Sequence, residues 1–210
     1  MNGKKIVALV ALIIFIDQAL KFYIKLNYFI GEEHAIIGTW ARLHFVENEG
    51  MAWGTKIPGE YGKLILTVFR LFAVAGIGYW LWDSIKKQGP KLLNLARALI
   101  FAGALGNIID SVFYGVIFTD SYNTVAKLFP EGGGYAPLFY GHVVDMLQFP
   151  LVEWTWPKWI PVVGGDTFLF FQYIFNVADT AISSGVGIMI VFNKKIFKKE
   201  TPKMNESFED

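Results

Sequence analysis

The chain has 210 residues, of which 54% are hydrophobic and only 18% are charged. Soluble domains usually carry about 25% charged residues, so this composition favours a membrane protein. The formal net charge is +1, which gives no general attraction for nucleic acid or for an acidic partner. The absence of cysteine excludes disulfides, thiolate metal sites and a cysteine nucleophile. The histidines lack an HExxH spacing, so a histidine zinc site is not expected; they are His34, His44 and His142.

Four segments are apolar enough to cross a bilayer, which takes about 20 helical residues. They cover about residues 6–26, 64–82, 92–118 and 168–192. Lysines precede the first segment, but no small-residue cleavage site closes it, so we interpret it as a retained span rather than a signal peptide. The sequence therefore predicts a mainly α integral membrane protein with four transmembrane helices in one membrane-embedded domain over residues 1–210.

The lysines predict the orientation of these spans. They occur before the first span, between the second and third, and after the fourth, and cytoplasmic segments are enriched in lysine and arginine. Both termini are therefore expected in the cytoplasm, including a disordered tail at about 194–210, and the connections 27–63 and 119–167 are expected outside. The lysines concerned are Lys4, Lys5, Lys86, Lys87, Lys91, Lys194, Lys195, Lys198 and Lys199.

The two outer connections differ in character. Residues 41–46 alternate apolar and polar side chains, which is typical of a β-strand. The second connection contains Trp154, Trp156 and Trp159 together with several prolines. It is either a lid that rests at the membrane interface, where tryptophan is enriched, or an irregular outer loop.

Two of the predicted spans carry polar side chains where lipid makes them costly. Asn107 and Asp110 lie in the third span, and Asn176 and Asp179 lie in the fourth. Because these spans run in opposite directions, both pairs are expected at comparable depth in the outer half of the membrane. Residues three apart lie on one helical face. The sequence thus predicts two polar faces that are able to meet.

A further carboxylate, Asp145, lies among apolar residues in the second outer connection. Two carboxylates in close proximity do not easily both ionise, so one holds a proton while the other acts as a base. Such a pair can activate water against a peptide bond. The structural alternative for an intramembrane aspartate is a hydrogen bond that serves helix packing.

Three other ionisable groups in the spans have structural interpretations. Asp17 and Lys21 are four residues apart in the first span, which predicts an ion pair within the helix. Arg70, in the second span, either snorkels towards the membrane surface or pairs inward.

Five motifs follow one another along the chain: Asp17-Gln18-x-x-Lys21, Asn48-x-Gly50-Met51-Ala52-Trp53-Gly54, Gly103-Ala104-Leu105-Gly106-Asn107-Ile108-Ile109-Asp110, Val143-Val144-Asp145 and Phe175-Asn176-Val177-Ala178-Asp179-Thr180-Ala181-Ile182. In this order they resemble the motifs of the bacterial lipoprotein signal peptidase family, also called signal peptidase II. One such motif would be weak evidence, but the ordered set is highly specific.

This resemblance implies an aspartyl endopeptidase with Asp145 and Asp179 as its catalytic pair. It implies that the site is lined by Asn48, Asn107, Asp110 and Asn176 and supported by Asp17 and Lys21. It also implies a small extracytoplasmic β-sheet cradle formed by the first outer connection. No cofactor and no metal are implied.

The resemblance further implies a substrate and a location. The family substrate is a prolipoprotein whose cysteine bears a diacylglyceryl group, and cleavage occurs on the amino side of that cysteine. The enzyme is expected in the bacterial cytoplasmic (inner) membrane, in contact with lipid, with its active site towards the outer face. A monomer suffices for this activity.

The chain departs from the family pattern in two respects. The family commonly has arginine after the third-span aspartate, where this chain has Ser111, so a contact is either lost or supplied elsewhere. The second outer connection is also longer than usual.

Two other functions remain open from the residues alone. A small transporter or channel would use the intramembrane Asp and Asn side chains to bind a cation, but it would need polar groups through both leaflets. A membrane enzyme for phosphoryl or lipid chemistry would hold a divalent metal with the three carboxylates. Activity that survives chelation would exclude the metal enzyme.

Overall fold

The computed structural model describes residues 2–38, 40–48 and 57–196, without the side chains of residues 153 and 169. Within these residues, three helical segments are long and apolar enough to cross a membrane, and a shorter apolar helix follows. The three are α1 (Gly3–Asn27), α2 (Gly62–Lys86) and a continuous segment made of α3 (Lys91–Ile109), a π-helical turn (Asp110–Tyr114) and α4 (Gly115–Ile117). The shorter helix is α5 (Val177–Val191), and the short α6 (Asn193–Ile196) comes after it.

The helix α5 lies against α3 in the opposite direction, and glycines permit the contact. A Cβ atom at Gly103 of α3 would lie 2.1 Å from the Ala178 carbonyl oxygen of α5. A Cβ atom at Gly185 of α5 would lie 2.6 Å from the Ala96 carbonyl oxygen of α3. Both distances are too short for any larger residue, so the two backbones touch along much of their length.

The other long helices complete the bundle. Ile6 of α1, Leu81 of α2 and Ala98 of α3 share one buried apolar cluster. Val74 of α2 packs near the opposite end of α3, against Ile108. The helices α1 and α3 therefore run in the same direction, with α2 antiparallel to them. This arrangement places the lysines at the start of α1, the end of α2 and the start of α3 at one end of the bundle.

A four-stranded antiparallel sheet lies at the other end, with strand order β1-β2-β3-β6. Its register places Asn48, the last residue of β2, opposite Val143, and places Asp145 opposite Val46. Phe175, at the end of β6, pairs with Leu147 of β3. The strands are β1 (Glu33–Ile37), β2 (Ala41–Asn48), β3 (Val143–Gln148) and β6 (Ile174–Phe175). The three neighbouring strands β2, β3 and β6 thus bring Asn48, Asp145 and Asn176, which follows β6, close together.

A separate hairpin is formed by β4 (Val152–Thr155) and β5 (Thr167–Phe170). Its Trp154 ring contacts the rings of Trp156 and Phe168, with centroid distances of 4.7 and 6.3 Å. The alternative of an irregular loop is therefore wrong for this part of the second connection. The predicted role of this connection as a lid stays a prediction.

The helices agree with the predicted spans except at the fourth. Residues 168–175 were expected to be helical, but they contribute β5 and β6, and α5 begins only at Val177. The physical reason is that Asn176 caps the helix, since its side chain accepts a hydrogen bond from the Asp179 backbone N–H. The strand predicted at residues 41–46 is confirmed as part of β2. The predicted tail lies almost wholly outside the described residues.

Candidate active site

The predicted site residues come together where the helices meet the four-stranded sheet. The helix α1 contributes Asp17 and Lys21, α3 and the π-helical turn contribute Asn107 and Asp110, and the start of α5 contributes Asn176 and Asp179. The sheet contributes Asn48 and Asp145. The part of the second motif at residues 49–54 lies outside the described residues.

The two Asn-x-x-Asp faces meet, and the two amides contact each other. Asn176 Nδ2 donates to Asn107 Oδ1 at 3.0 Å, and Asn107 Nδ2 donates to Asp179 Oδ1 at 2.8 Å. Asn176 and Asp179 also form a capping box at the start of α5, with the Asp179 backbone N–H 2.8 Å from Asn176 Oδ1. The local sequence that begins the helix therefore also sets the orientation of both side chains.

Asp145 joins the same network from the sheet. Its Oδ1 accepts a hydrogen bond from Asn176 Nδ2 at 2.7 Å, and its Oδ2 accepts one from Asn48 Nδ2. Asn176 therefore binds Asp145 directly and binds Asp179 through its cap and through Asn107. One network of amides holds the two carboxylates of the predicted pair.

The pKa of Asp145 is raised to about 8, first by burial and second by the negative charge of Asp179. Lys21 and the hydrogen bond from Asn176 act in the opposite direction but are weaker influences. A carboxyl group in this environment holds its proton at neutral pH. Asp145 can thus donate a hydrogen bond that an ordinary ionised carboxylate cannot.

The ion pair predicted between Asp17 and Lys21 is present, and it is part of a larger cluster. Lys21 Nζ lies 2.9 Å from Asp17 Oδ2 and 2.7 Å from Asp110 Oδ2, with all three side chains buried. The same ammonium donates to Asn107 Oδ1 at 2.9 Å. One cation thus joins α1 to α3 and touches the amide network of the site.

Both carboxylates of this cluster also accept backbone hydrogen bonds. Asp17 Oδ1 accepts from the Ala178 N–H in the first turn of α5 at 2.9 Å, where the helix dipole favours negative charge. Asp110 Oδ2 accepts from the Val144 N–H of β3 at 3.3 Å. The cluster therefore positions the elements that carry Asp179 and Asp145.

Two residues of this cluster had been given no role from the sequence. Gln18 Nε2 donates to Asp110 Oδ1 at 2.9 Å and to Asp17 Oδ2 at 3.1 Å. Tyr114 OH donates to Gln18 Oε1 at 3.1 Å. The position of Gln18 beside Asp17 in the first motif could have indicated its role in the sequence. Tyr114 carried no signal, because a tyrosine in an apolar segment is ordinary.

A second buried cation lies beside the site. Lys25 Nζ is 2.6 Å from Glu47 Oε1 and donates to Ser121 Oγ at 2.7 Å. Burial alone would raise the pKa of Glu47, but His142 and Lys25 hold it below its usual value. The signal for Lys25 was its spacing, since Lys21 and Lys25 are four residues apart on one face of α1. This pair ties β2, next to Asn48, to the helix.

The sequence left open whether Ser111 contributes a contact to the site. The Ser111 hydroxyl is buried and donates to the Asn107 carbonyl oxygen of its own helix at 3.1 Å, so it supplies no charge to the site.

Within the part of the chain that the structure describes, no group of three His, Asp or Glu side chains is arranged to hold a metal ion. What the arrangement offers chemically is a pair of carboxylates.

Replacing Lys21 with methionine tests the buried cluster. We expect Lys21→Met to lower the free energy of unfolding by about 3–5 kcal/mol, because it leaves buried carboxylates without their cation. Unfolding of the purified protein in detergent measures this. Lys87→Met is the control, since Lys87 forms an exposed i,i+4 pair with Asp83 at 2.9 Å and its loss should change stability little. Equal stability of the two variants would contradict the role given to Lys21.

Comparison with known proteins identifies the family of this chain. The family model for signal peptidase (SPase) II matches residues 9–194. The lipoprotein signal peptidase of Porphyromonas gingivalis (strain W83) is 44% identical over 191 residues, which is 90% of this chain and 83% of that protein. The lipoprotein signal peptidase of Amoebophilus asiaticus is 35% identical over 190 residues, covering 88% and 75% of the two chains. A solved bacterial membrane enzyme, 23% identical, shares the fold with a TM-score of 0.61 over 95% of this chain and 94% of the other. The chain belongs to the signal peptidase II family.

Proposed function

We propose that this protein is a membrane-embedded aspartic endopeptidase that removes the signal peptide from prolipoproteins. Cleavage occurs on the amino side of the cysteine that bears the diacylglyceryl group. The observation that carries the proposal is the contact of Asn176 with both halves of the site, because its amide binds Asp145 Oδ1 at 2.7 Å and Asn107 Oδ1 at 3.0 Å. Family membership supports the same activity.

In the proposed mechanism, one aspartate acts as the general base and the other as the general acid. Asp179 takes a proton from a water molecule, which attacks the scissile carbonyl carbon. Asp145, protonated at neutral pH because its pKa is raised to about 8, donates a hydrogen bond to the carbonyl oxygen. The C–N bond then breaks as Asp179 gives the proton that it took from water to the leaving amine, while Asp145 keeps its own proton. The pair titrates as a unit, so the rate follows the protonation of both groups together.

The proposed membrane arrangement has four spans with both termini in the cytoplasm. The antiparallel contact of α5 with α3 supports a fourth span, because α5 follows α3 from Ala178 to Gly185. The 15 residues of α5 extend about 22 Å, so the fourth span is shorter than the others. The clustered lysines at the opposite end of the bundle from the site support an active site facing outward. The proposed location is the inner membrane of a bacterium, with the whole chain as one domain acting as a monomer.

The four-stranded sheet is the proposed cradle for the substrate peptide. Its strand β3 carries Asp145, and β2 ends at Asn48 beside it, so a peptide lying along this sheet would reach the aspartate pair. The hairpin of β4 and β5 exposes Trp154 and Phe170, and such side chains suit the headgroup region of a bilayer. We assign the hairpin to the membrane interface, where it would act as the lid.

The transporter and the metal enzyme are less favoured than the peptidase. Membership of the signal peptidase II family supports peptide hydrolysis. A transporter or a metal-dependent lipid enzyme would not be expected in that family. The aspartate pair described above accounts for hydrolysis without a metal.

Cleavage of a purified diacylglyceryl-modified prolipoprotein tests the proposal. We expect the wild-type protein to release the signal peptide at the lipid-bearing cysteine, as read by gel shift and mass spectrometry, and to retain this activity in EDTA. Asp145→Asn and Asp179→Asn should each lower kcat by at least about 100-fold, because each removes one partner of the acid–base pair.

Asp83→Asn is the matched control, since Asp83 lies near the lysine-rich end of α2 and pairs with Lys87. It should cleave at the wild-type rate. All variants must show wild-type thermal stability before comparison. Full activity of both site variants would contradict the aspartate pair, and loss of wild-type activity in EDTA would favour the metal enzyme.

The pH dependence of cleavage follows from Asp145. Its raised pKa of about 8 means that the neutral carboxyl group persists up to that pH and is lost above it. We therefore expect kcat/KM to fall as the pH rises through about 8, measured with a substrate that has no titrating group near the cleaved bond. Asp83→Asn should show the same alkaline decline. A rate that stays constant up to pH about 10 would contradict a protonated Asp145.

A further inference from the structure

Arg70 lies on the face of α2 that points into the protein. Thr67 and Val74, three residues before it and four after it, have exposed fractions of 0% and 7%, and all three residues share one helical face. The neighbouring Phe69 and Phe72 have exposed fractions of 68% and 73%, so they form the outward face. Arg70 therefore does not snorkel along the lipid surface, and its charge is directed inward.

Within the described part of the chain, one nitrogen of the Arg70 guanidinium is buried without a hydrogen-bond partner. Among the described residues, Arg70 Nη1 has no hydrogen-bond acceptor although it is shielded from solvent. A guanidinium carries five N–H donors and no acceptor, and a buried donor that stays unpaired destabilises the protein. An acceptor that arrives with a ligand would satisfy it.

The position of Arg70 relates it to the active site. Its charge interacts electrostatically with Asp179, Asp110 and Asp145, in decreasing order. No ion pair of Arg70 with these carboxylates is formed within the described residues, and Lys21 already pairs with Asp110 at 2.7 Å. Arg70 thus acts on the aspartate pair from α2 through its charge, without an ion pair to either aspartate among the described residues.

We propose that Arg70 is a substrate-binding residue whose Nη1 donates a hydrogen bond to a carbonyl oxygen of the bound prolipoprotein. This inference rests on the proposed function. The carbonyl belongs either to the peptide beside the cleaved bond or to an ester of the diacylglyceryl group. Both oxygens are acceptors without a proton, which is what a guanidinium requires. Binding would also pair the buried donor, so the cost of burying Arg70 in the free enzyme is relieved in the complex.

The position of Ser111 is consistent with this assignment. Its hydroxyl is bonded within its own helix, at 3.1 Å from the Asn107 carbonyl oxygen, and carries no charge to the substrate. In this chain the charge of Arg70 acts on the aspartates from α2 instead. Arg70 of α2 is therefore the candidate donor for the contact that Ser111 does not supply.

The test compares Arg70→Gln with wild type on two synthetic lipopeptides, one with a diacylglyceryl cysteine and one with the dialkyl ether analogue that lacks both ester carbonyls. We expect Arg70→Gln to raise KM for the diacyl substrate by roughly 10- to 100-fold, the range for a hydrogen bond to a charged group. KM is decisive because it does not depend on the folded fraction of the enzyme. Arg97→Gln is the matched control, since Arg97 Nε also lacks a hydrogen-bond partner among the residues described, but its guanidinium stacks on the Trp80 ring at 3.7 Å. It should keep the wild-type KM.

The two substrates identify the carbonyl. An increase in KM for the diacyl substrate alone assigns an ester oxygen, and an equal increase for both substrates assigns a peptide oxygen. An unchanged KM for both substrates overturns the proposal, whereas a wild-type enzyme that cleaves neither would refute the proposed function instead. If Arg70→Gln yields no folded enzyme, Arg70→Lys decides by the same criterion, because a lysine does not reproduce the fixed donor geometry of arginine.

Discussion

The ammonium group of Lys21 lies between the carboxylates of Asp17 and Asp110, and none of the three side chains is open to solvent. Charges removed from water are tolerated only when they are paired and hydrogen-bonded, so this arrangement permits very little displacement. Through Ala178 and Val144 the same two carboxylates hold the start of α5 and the strand β3. Elements that are far apart in the sequence are thereby held in one relative position.

The orientation of the site amides follows from this cluster. Asn107 Oδ1 accepts hydrogen bonds from Lys21 and Asn176, which leaves its NH2 group to face Asp179. Asn176 is held in the same way, since its oxygen caps α5 and its NH2 group faces Asp145. Rotating either amide by half a turn would place donors against donors and acceptors against acceptors. A buried ion cluster therefore determines, through two amides, how the carboxylates of Asp145 and Asp179 are presented.

The burial that makes this network rigid also makes it chemically useful. Asp145 lies in the sheet, where burial and the nearby Asp179 raise its pKa to about 8. Asp179 lies at the start of α5, where its carboxylate accepts hydrogen bonds from Asn107 Nδ2 at 2.8 Å and from the Asn176 backbone N–H at 3.4 Å. Two residues of the same type thus lie in different environments, as the proposed division into one acid and one base at the same pH requires.

Much of this arrangement could be predicted from the sequence because it depends on local spacing. Pairs three or four residues apart on a helix must share a face, which is how Asn107 with Asp110, Asn176 with Asp179 and Asp17 with Lys21 were found. The late start of α5 was missed because residues 168–175 are as apolar as a span, and apolar content alone does not distinguish a strand from a helix. The contact of Tyr114 with Gln18 depends on the packing of two helices, which no local pattern encodes.

In the proposed mechanism Asp145 and Asp179 act together on one peptide bond. The most direct measurement is a crystal structure of the protein with a lipopeptide that carries a secondary hydroxyl in place of the scissile carbonyl. We expect this hydroxyl oxygen to lie within hydrogen-bond distance of a carboxylate oxygen of both aspartates. A hydroxyl bound away from either aspartate, with the lipopeptide otherwise seated in the site, would contradict it.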